Sequence, residues 1–169
     1  MSSIGVLGAG TWGMALARML SNSGQDVTVW SAIKKEIDDL SSTRCHPNLP
    51  YMIIPDTIVF TKSIEEVCVQ KDIILFAVPS VFVRSTAEKA RQYIPDGQIV
   101  VDVAKGIEAD TLYTMSEVIR DEIQKDGLHP NAKIVALSGP THAEEVACQL
   151  QSFLLVLIWT WQRKYRMFL

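Results

Sequence analysis

The sequence predicts an α/β fold built on a doubly wound parallel sheet. Residues 1–148 are expected to form one domain, and residues 149–169 an aberrant apolar tail. Two observations predict it. Short apolar runs alternate with amphipathic stretches, the pattern of βαβ units, and a glycine-rich element follows the first run directly. The length of 169 residues suits one domain, and a 48% hydrophobic content is enough to bury a core.

Ile4-Gly5-Val6-Leu7 is the first strand, and the spacing of Met14, Leu16, Ala17 and Leu20 predicts the helix after it. Gly24 stops that helix, and Val27–Trp30 is the second strand. A lysine- and acid-rich helix is expected from about Lys34 to Leu40. The segment Cys45–Pro55 holds three prolines and reads as a loop, and Ile58–Phe60 as a short strand. Ile73–Val78 is apolar throughout, as a parallel strand buried on both faces should be, and Pro79 ends it. Gln98–Val103 is a further strand, Thr111–Gln124 a helix and Lys133–Leu137 another strand. After the turn Ser138-Gly139-Pro140, Thr141 and Glu144 form an expected capping box that opens a new helix. The run Phe153–Trp161 is almost wholly apolar, but it is too short for a bilayer span, which needs roughly 20 residues.

Gly8-Ala9-Gly10-Thr11-Trp12-Gly13 is a G-x-G-x-x-G element placed after a strand and at the start of a helix. This is the context in which such glycines bind a dinucleotide. Gly8 permits the tight turn, Gly10 lets a pyrophosphate approach the backbone, and Gly13 lets helix and strand pack closely. The helix N-terminus then offers free N–H groups to the phosphates. The Rossmann fingerprint usually adds a carboxylate at the end of the second strand for the ribose 2′-hydroxyl. Ser31 stands there instead, followed by Ala32 and Ile33. With no carboxylate to repel a 2′-phosphate, and with Lys34 and Lys35 nearby, the sequence tips toward NADP over NAD. Both lysines also fit a solvated helix face.

Sixteen basic residues against 19 acidic ones give a net charge of −3 with no basic stripe, which argues against nucleic acid as a partner. Cys45, Cys68 and Cys148 share no metal-ligand spacing with His46, His129 or His142, so reduced thiols and no metal are expected. No signal-peptide pattern opens the chain, and a cytoplasmic location is expected.

Several segments resemble the bacterial-type NAD(P)-dependent glycerol-3-phosphate dehydrogenases. These are GAGTWGMALA, VTVW, NLPYM, FAVPS, AKGIE and SGPTHAEEVA, in order from residue 4 to about residue 147. The resemblance implies reversible hydride transfer between NAD(P)H and dihydroxyacetone phosphate, giving sn-glycerol 3-phosphate for phospholipid synthesis. It implies that Thr11 and Trp12 contact the cofactor beside the phosphates, that Tyr51 flanks it, and that Pro79 and Ala143 contact it. Lys105 is implied to touch cofactor and substrate, and Gly139 and Thr141 to touch substrate. His142 reads as a variable neighbour and not a catalyst. The family often carries Arg or His at the position of Ala32, and its absence weakens the expectation of NADP. The resemblance also implies a helical second domain holding the proton-transferring lysine, so no catalytic residue is expected in this chain, which alone is expected to be inactive. A homodimer is left open for the full-length form.

The stretch after Cys148 departs from the family. Back-translated in a shifted reading frame, it resembles the family's natural continuation, so a frame change near Cys148 is expected; an authentic short protein is the rival. Two other functions stay open: a related β-hydroxyacid-type dehydrogenase, which AKGIE and SGPTHAEE argue against, and a catalytically inert nucleotide-binding module.

Overall fold

The computed structural model describes residues 1–138, 142–147 and 155–158. Six strands run parallel: β1 (Ser3–Leu7), β2 (Asp26–Trp30), β5 (Val59–Thr61), β6 (Ile73–Phe76), β7 (Ile99–Asp102) and β8 (Lys133–Ser138). Their spatial order is β5-β2-β1-β6-β7-β8. Counted along the chain, the six strands thus lie in the order 3-2-1-4-5-6, that of the doubly wound dinucleotide-binding sheet. The order reverses between β1 and β6, and a crevice opens at the carboxyl ends of strands at such a point. At the far edge β9 (Leu155–Ile158) pairs antiparallel with β8. The rest of the predicted tail lies outside the described residues.

Side chains alternate across each strand and build two cores. Ile4, Val6, Val27, Val29 and Leu75 face α1 (Thr11–Asn22) and α2 (Lys34–Thr43), through Met14, Leu16, Ala17, Ile37 and Leu40. Leu7, Trp30, Ile74, Phe76 and Val100 face α3 (Ile64–Cys68), α4 (Ser80–Ala90) and α5 (Met115–Gln124). Helices on both faces explain why β6 carries no polar residue.

Three expectations change. The proline-rich segment Cys45–Pro55 is largely an antiparallel hairpin, β3 (Cys45–His46) with β4 (Leu49–Ile53). Its prolines allow this because Pro47 sits in the turn and Pro50 is exposed in a two-stranded ladder, where a missing N–H costs little. Leu49 and Met52 are buried and anchor the hairpin in the first core. The strand through Ile73 ends at Phe76, two residues before Val78. The last long helix begins at Met115 and not Thr111, because Thr114 and Glu117 close a capping box there. Residues before it form a loop with a bridge between Ile107 and Thr114. The predicted box at Thr141 falls outside the described residues, while α6 (Ala143–Ala147) follows it. The sequence reading passes over α3 and α4.

Candidate functional site

Three turns meet where the strand order reverses. The first is the glycine turn after β1. Gly8 has φ +122°, and a Cβ on it would stand 2.7 Å from the carbonyl carbon of Ala77. A Cβ on Gly13 would stand 2.1 Å from the Gly8 oxygen. Both glycines are therefore required by packing. Gly10 differs: its backbone is extended (φ −67°, ψ 178°), and no atom of the described residues lies within 4 Å of a Cβ built there. The space above Gly10 is open, at a helix N-terminus that has no side-chain cap and no acidic residue in its first turn. Unpaired N–H groups, the positive end of the helix dipole and an open cradle fit a pyrophosphate.

The second turn, Ala77–Pro79, links β6 to α4 and packs under the glycine turn, where the Ala77 nitrogen donates to the Leu7 carbonyl at 2.8 Å. The third follows β7 and carries Lys105. Asp102 is buried at the end of β7, accepting from the Ala104 nitrogen at 2.9 Å and from Ser116 Oγ at 2.7 Å. Burial pushes its carboxyl above the usual range, and these two hydrogen bonds oppose the shift. Gly106, at φ +133°, passes over the start of α4, with an added Cβ only 3.4 Å from Ser80 Cβ. Lys105 is exposed beside this contact. The loop is held from below by Arg84 of α4, which forks onto Glu108 (Nε–Oε1 2.7 Å, Nη2–Oε2 2.6 Å). Arg84 Nη1 also donates to Asp121 and Glu122 of α5, each at 2.7 Å. The Arg84 hydrogen bonds, with one from Thr111, hold the Glu108 carboxyl down at about 2.

The β3–β4 hairpin closes the fourth side. Asn48 Nδ2 donates to Thr11 Oγ1 at 3.0 Å, fixing the hairpin on the glycine turn. His46 is buried; its Nδ1 accepts from the Asn48 nitrogen at 3.2 Å, and its ring bonds the Ala9 backbone. Burial lowers its pKa, against the smaller raising effects of Glu36 and of Ala9. Tyr51, by contrast, is 91% exposed on the hairpin. Ala143, half-buried, opens α6 and packs on the first core, and His142 is exposed.

Gly8, Gly10, Thr11, Trp12 and Gly13 thus lie on one turn, which packs on the turn that leads to Pro79, and Lys105 lies on the loop that crosses the start of α4. Gly139 and Thr141 lie outside the described residues. Ser31, right after β2, is buried and its hydroxyl is already engaged: it accepts from the Ile33 nitrogen at 3.1 Å and donates to Glu36 Oε2 at 2.5 Å. In sequence this strand end carries no carboxylate. The first turn of α2 returns one to it. Glu36, His46, Asn48 and Arg84 were not singled out from sequence. Two residues had a signal: Glu108 as the last residue of the AKGIE segment, and Asn48 as the first of NLPYM.

The family profile described as NAD-dependent glycerol-3-phosphate dehydrogenase N-terminus matches residues 3–158. The chain belongs to this family. It is 71% identical over 150 residues to glycerol-3-phosphate dehydrogenase [NAD(P)+] 2 of Lactobacillus delbrueckii subsp. bulgaricus, covering 89% of this chain and 44% of the relative. It is 47% identical over 147 residues to glycerol-3-phosphate dehydrogenase [NAD(P)+] of Agathobacter rectalis, covering 86% and 42%. Among solved structures, the glycerol-3-phosphate dehydrogenase of Coxiella burnetii superposes with a TM-score of 0.77 at 26% identity, over 87% of this chain and 43% of that one. The chain therefore spans somewhat under half the length of the curated relatives it matches. Among the described residues no helix is long and apolar enough to cross a membrane.

Proposed function

We propose that this chain is the cofactor-binding domain, residues 1–148, of an oxidoreductase that interconverts sn-glycerol 3-phosphate and dihydroxyacetone phosphate with NAD(H) or NADP(H). The observation that carries the reading is the open cradle at Gly10, facing an uncapped helix N-terminus at the point of strand reversal. Family membership supplies the substrate class. We infer a cytoplasmic location and a small-molecule partner from the same reading, supported by the near-balanced charge.

When bound, the nicotinamide dinucleotide supplies the hydride chemistry. The protein's share is positioning and electrostatics. The amides at the start of α1 hold the pyrophosphate, and Gly10 keeps their approach clear. Thr11 and Trp12 line the entry beside the phosphates, and Thr11 is itself held by Asn48. The turn at Pro79, Tyr51 on the hairpin and Ala143 at the start of α6 are proposed cofactor contacts. The Lys105 ammonium faces an anionic substrate and stabilises charge that grows on the carbonyl oxygen. Gly139 and Thr141 are proposed substrate contacts on the segment between β8 and α6.

The test is an absorbance assay of NAD(P)H consumption, run on a polypeptide that joins this chain to the second half of its 71%-identical relative. Dihydroxyacetone phosphate should support turnover, and β-hydroxyacid-pathway substrates should not. Lys105→Met should lower kcat/KM by at least about 100-fold, the loss of one charge-stabilising donor. Equal turnover of both substrate classes would refute the substrate assignment.

A further inference from the structure

We propose that Glu36 sets the cofactor preference of this domain, rejecting a 2′-phosphate and favouring NAD over NADP; the proposal rests on the dinucleotide reading above. The adenosine ribose of a dinucleotide held at such a turn lies at the carboxyl end of the second strand. Here that end is fixed to the turn itself, since the Gly8 nitrogen donates to the Trp30 carbonyl at 2.8 Å. The next residue, Ser31, is buried, and its only proton is committed to Glu36. It has none to offer a phosphate. What it offers instead is a fixed carboxylate, an acceptor suited to a ribose hydroxyl and a like charge to a phosphate.

The surroundings do not reverse that sign. Glu36 is half-buried in the groove between α2 and β3, lined also by Ile33, Lys35, Asp39, His46 and Pro47. Two carboxylates and one ammonium face it. Burial holds the His46 pKa below the usual value and so disfavours a positive charge on its ring. Lys34 is exposed at the first position of α2 and does not line the groove. The expectation of NADP drawn from an acid-free strand end thus loses its premise. The carboxylate is present, five residues later in sequence, carried back by the turn into α2.

The experiment is a fluorescence titration of the 169-residue chain with NADH and with NADPH, for the natural sequence, Glu36→Gln and Ser31→Ala. Thermal melts of the three check that each is folded. The natural chain should bind NADH at least about 10-fold more tightly than NADPH, the cost of one like-charge contact. Glu36→Gln keeps the shape and the Ser31 hydrogen bond, and should erase most of that ratio by strengthening NADPH binding. Ser31→Ala keeps the charge but frees the carboxylate, and should lower the ratio only in part. A ratio near one or favouring NADPH in the natural chain, or a ratio unmoved by Glu36→Gln, overturns the proposal alone. Binding of neither cofactor by the folded chain overturns the dinucleotide reading and the proposal together.

Discussion

Replacing Gly10 with alanine should separate folding from ligand binding, because the two demands fall on different glycines of the same turn. At Gly10 the backbone lies at φ −67° and ψ 178°, which any residue adopts, and an added Cβ meets nothing within 4 Å among the described residues. The cost to the fold is the exchange of a tolerable N-cap residue for a poor one, about 0.5–1 kcal/mol. For a chain of this size that is a fall in Tm of roughly 1–4 °C. The same methyl group stands where the pyrophosphate must approach the helix amides. Each charge-assisted hydrogen bond lost there is worth about 1.5–3 kcal/mol. One such loss weakens binding by at least about 10-fold. Gly10→Val, filling more of the cradle, should abolish binding at millimolar cofactor. Calorimetric titration of the natural chain and both variants, beside thermal melts, makes the comparison. A folded Gly10→Ala chain that binds NADH with natural affinity would refute the reasoning, as would a variant that fails to fold.

Three further outcomes follow from neighbouring contacts. Gly13→Ala should destabilise the fold by about 1–3 kcal/mol or more through overpacking, since its Cβ would stand 2.1 Å from the Gly8 oxygen; chemical denaturation measures this. Arg84→Met leaves Glu108, Asp121 and Glu122 without their shared cation, and with Arg84 31% exposed the cost should be about 2–3 kcal/mol, below the ~3–5 of a fully buried pair. Arg84→Lys should recover little of it, because it cannot fork onto Glu108. His46 has its pKa lowered from 6.5 by burial, so its contribution to stability is fully present above pH 6.5 and is lost as pH falls through the lowered value. Thermal melts between about pH 8 and pH 5 should show this decline, and His46→Asn should flatten it while lowering stability at every pH.

What could be read from the sequence was what lies close along the chain. The glycine element needs only its own six residues and the strand before it, so its role in the turn was legible. The apolar run at Ile73–Phe76 announced a strand buried on both faces. The hairpin at Cys45–Ile53 was not legible, because its prolines mark a loop in sequence, while its burial of Leu49 and Met52 depends on a core assembled elsewhere. Helix α4 buries small residues, Thr86, Ala87 and Ala90, beside Val83, and exposes Val81 and Phe82. This blurs its periodicity. In the site, Lys105 was visible through its motif, but the Arg84 fork that holds its loop joins residues 24 apart in sequence. Glu36 was hidden because it stands five residues beyond Ser31 and returns to the strand end only through the turn into α2.

Whether the glycine turn after β1 is a dinucleotide site can be read at its own amides by nuclear magnetic resonance. A nitrogen-15-labelled sample of the chain is titrated with NADH while its backbone amide signals are followed. Saturable shifts are expected, largest at Gly10, Thr11, Trp12 and Gly13, with smaller ones at Ser31 and Asn48. A folded chain whose glycine-turn amides stay unmoved at millimolar NADH, or whose shifts gather on another face, would contradict a dinucleotide site there.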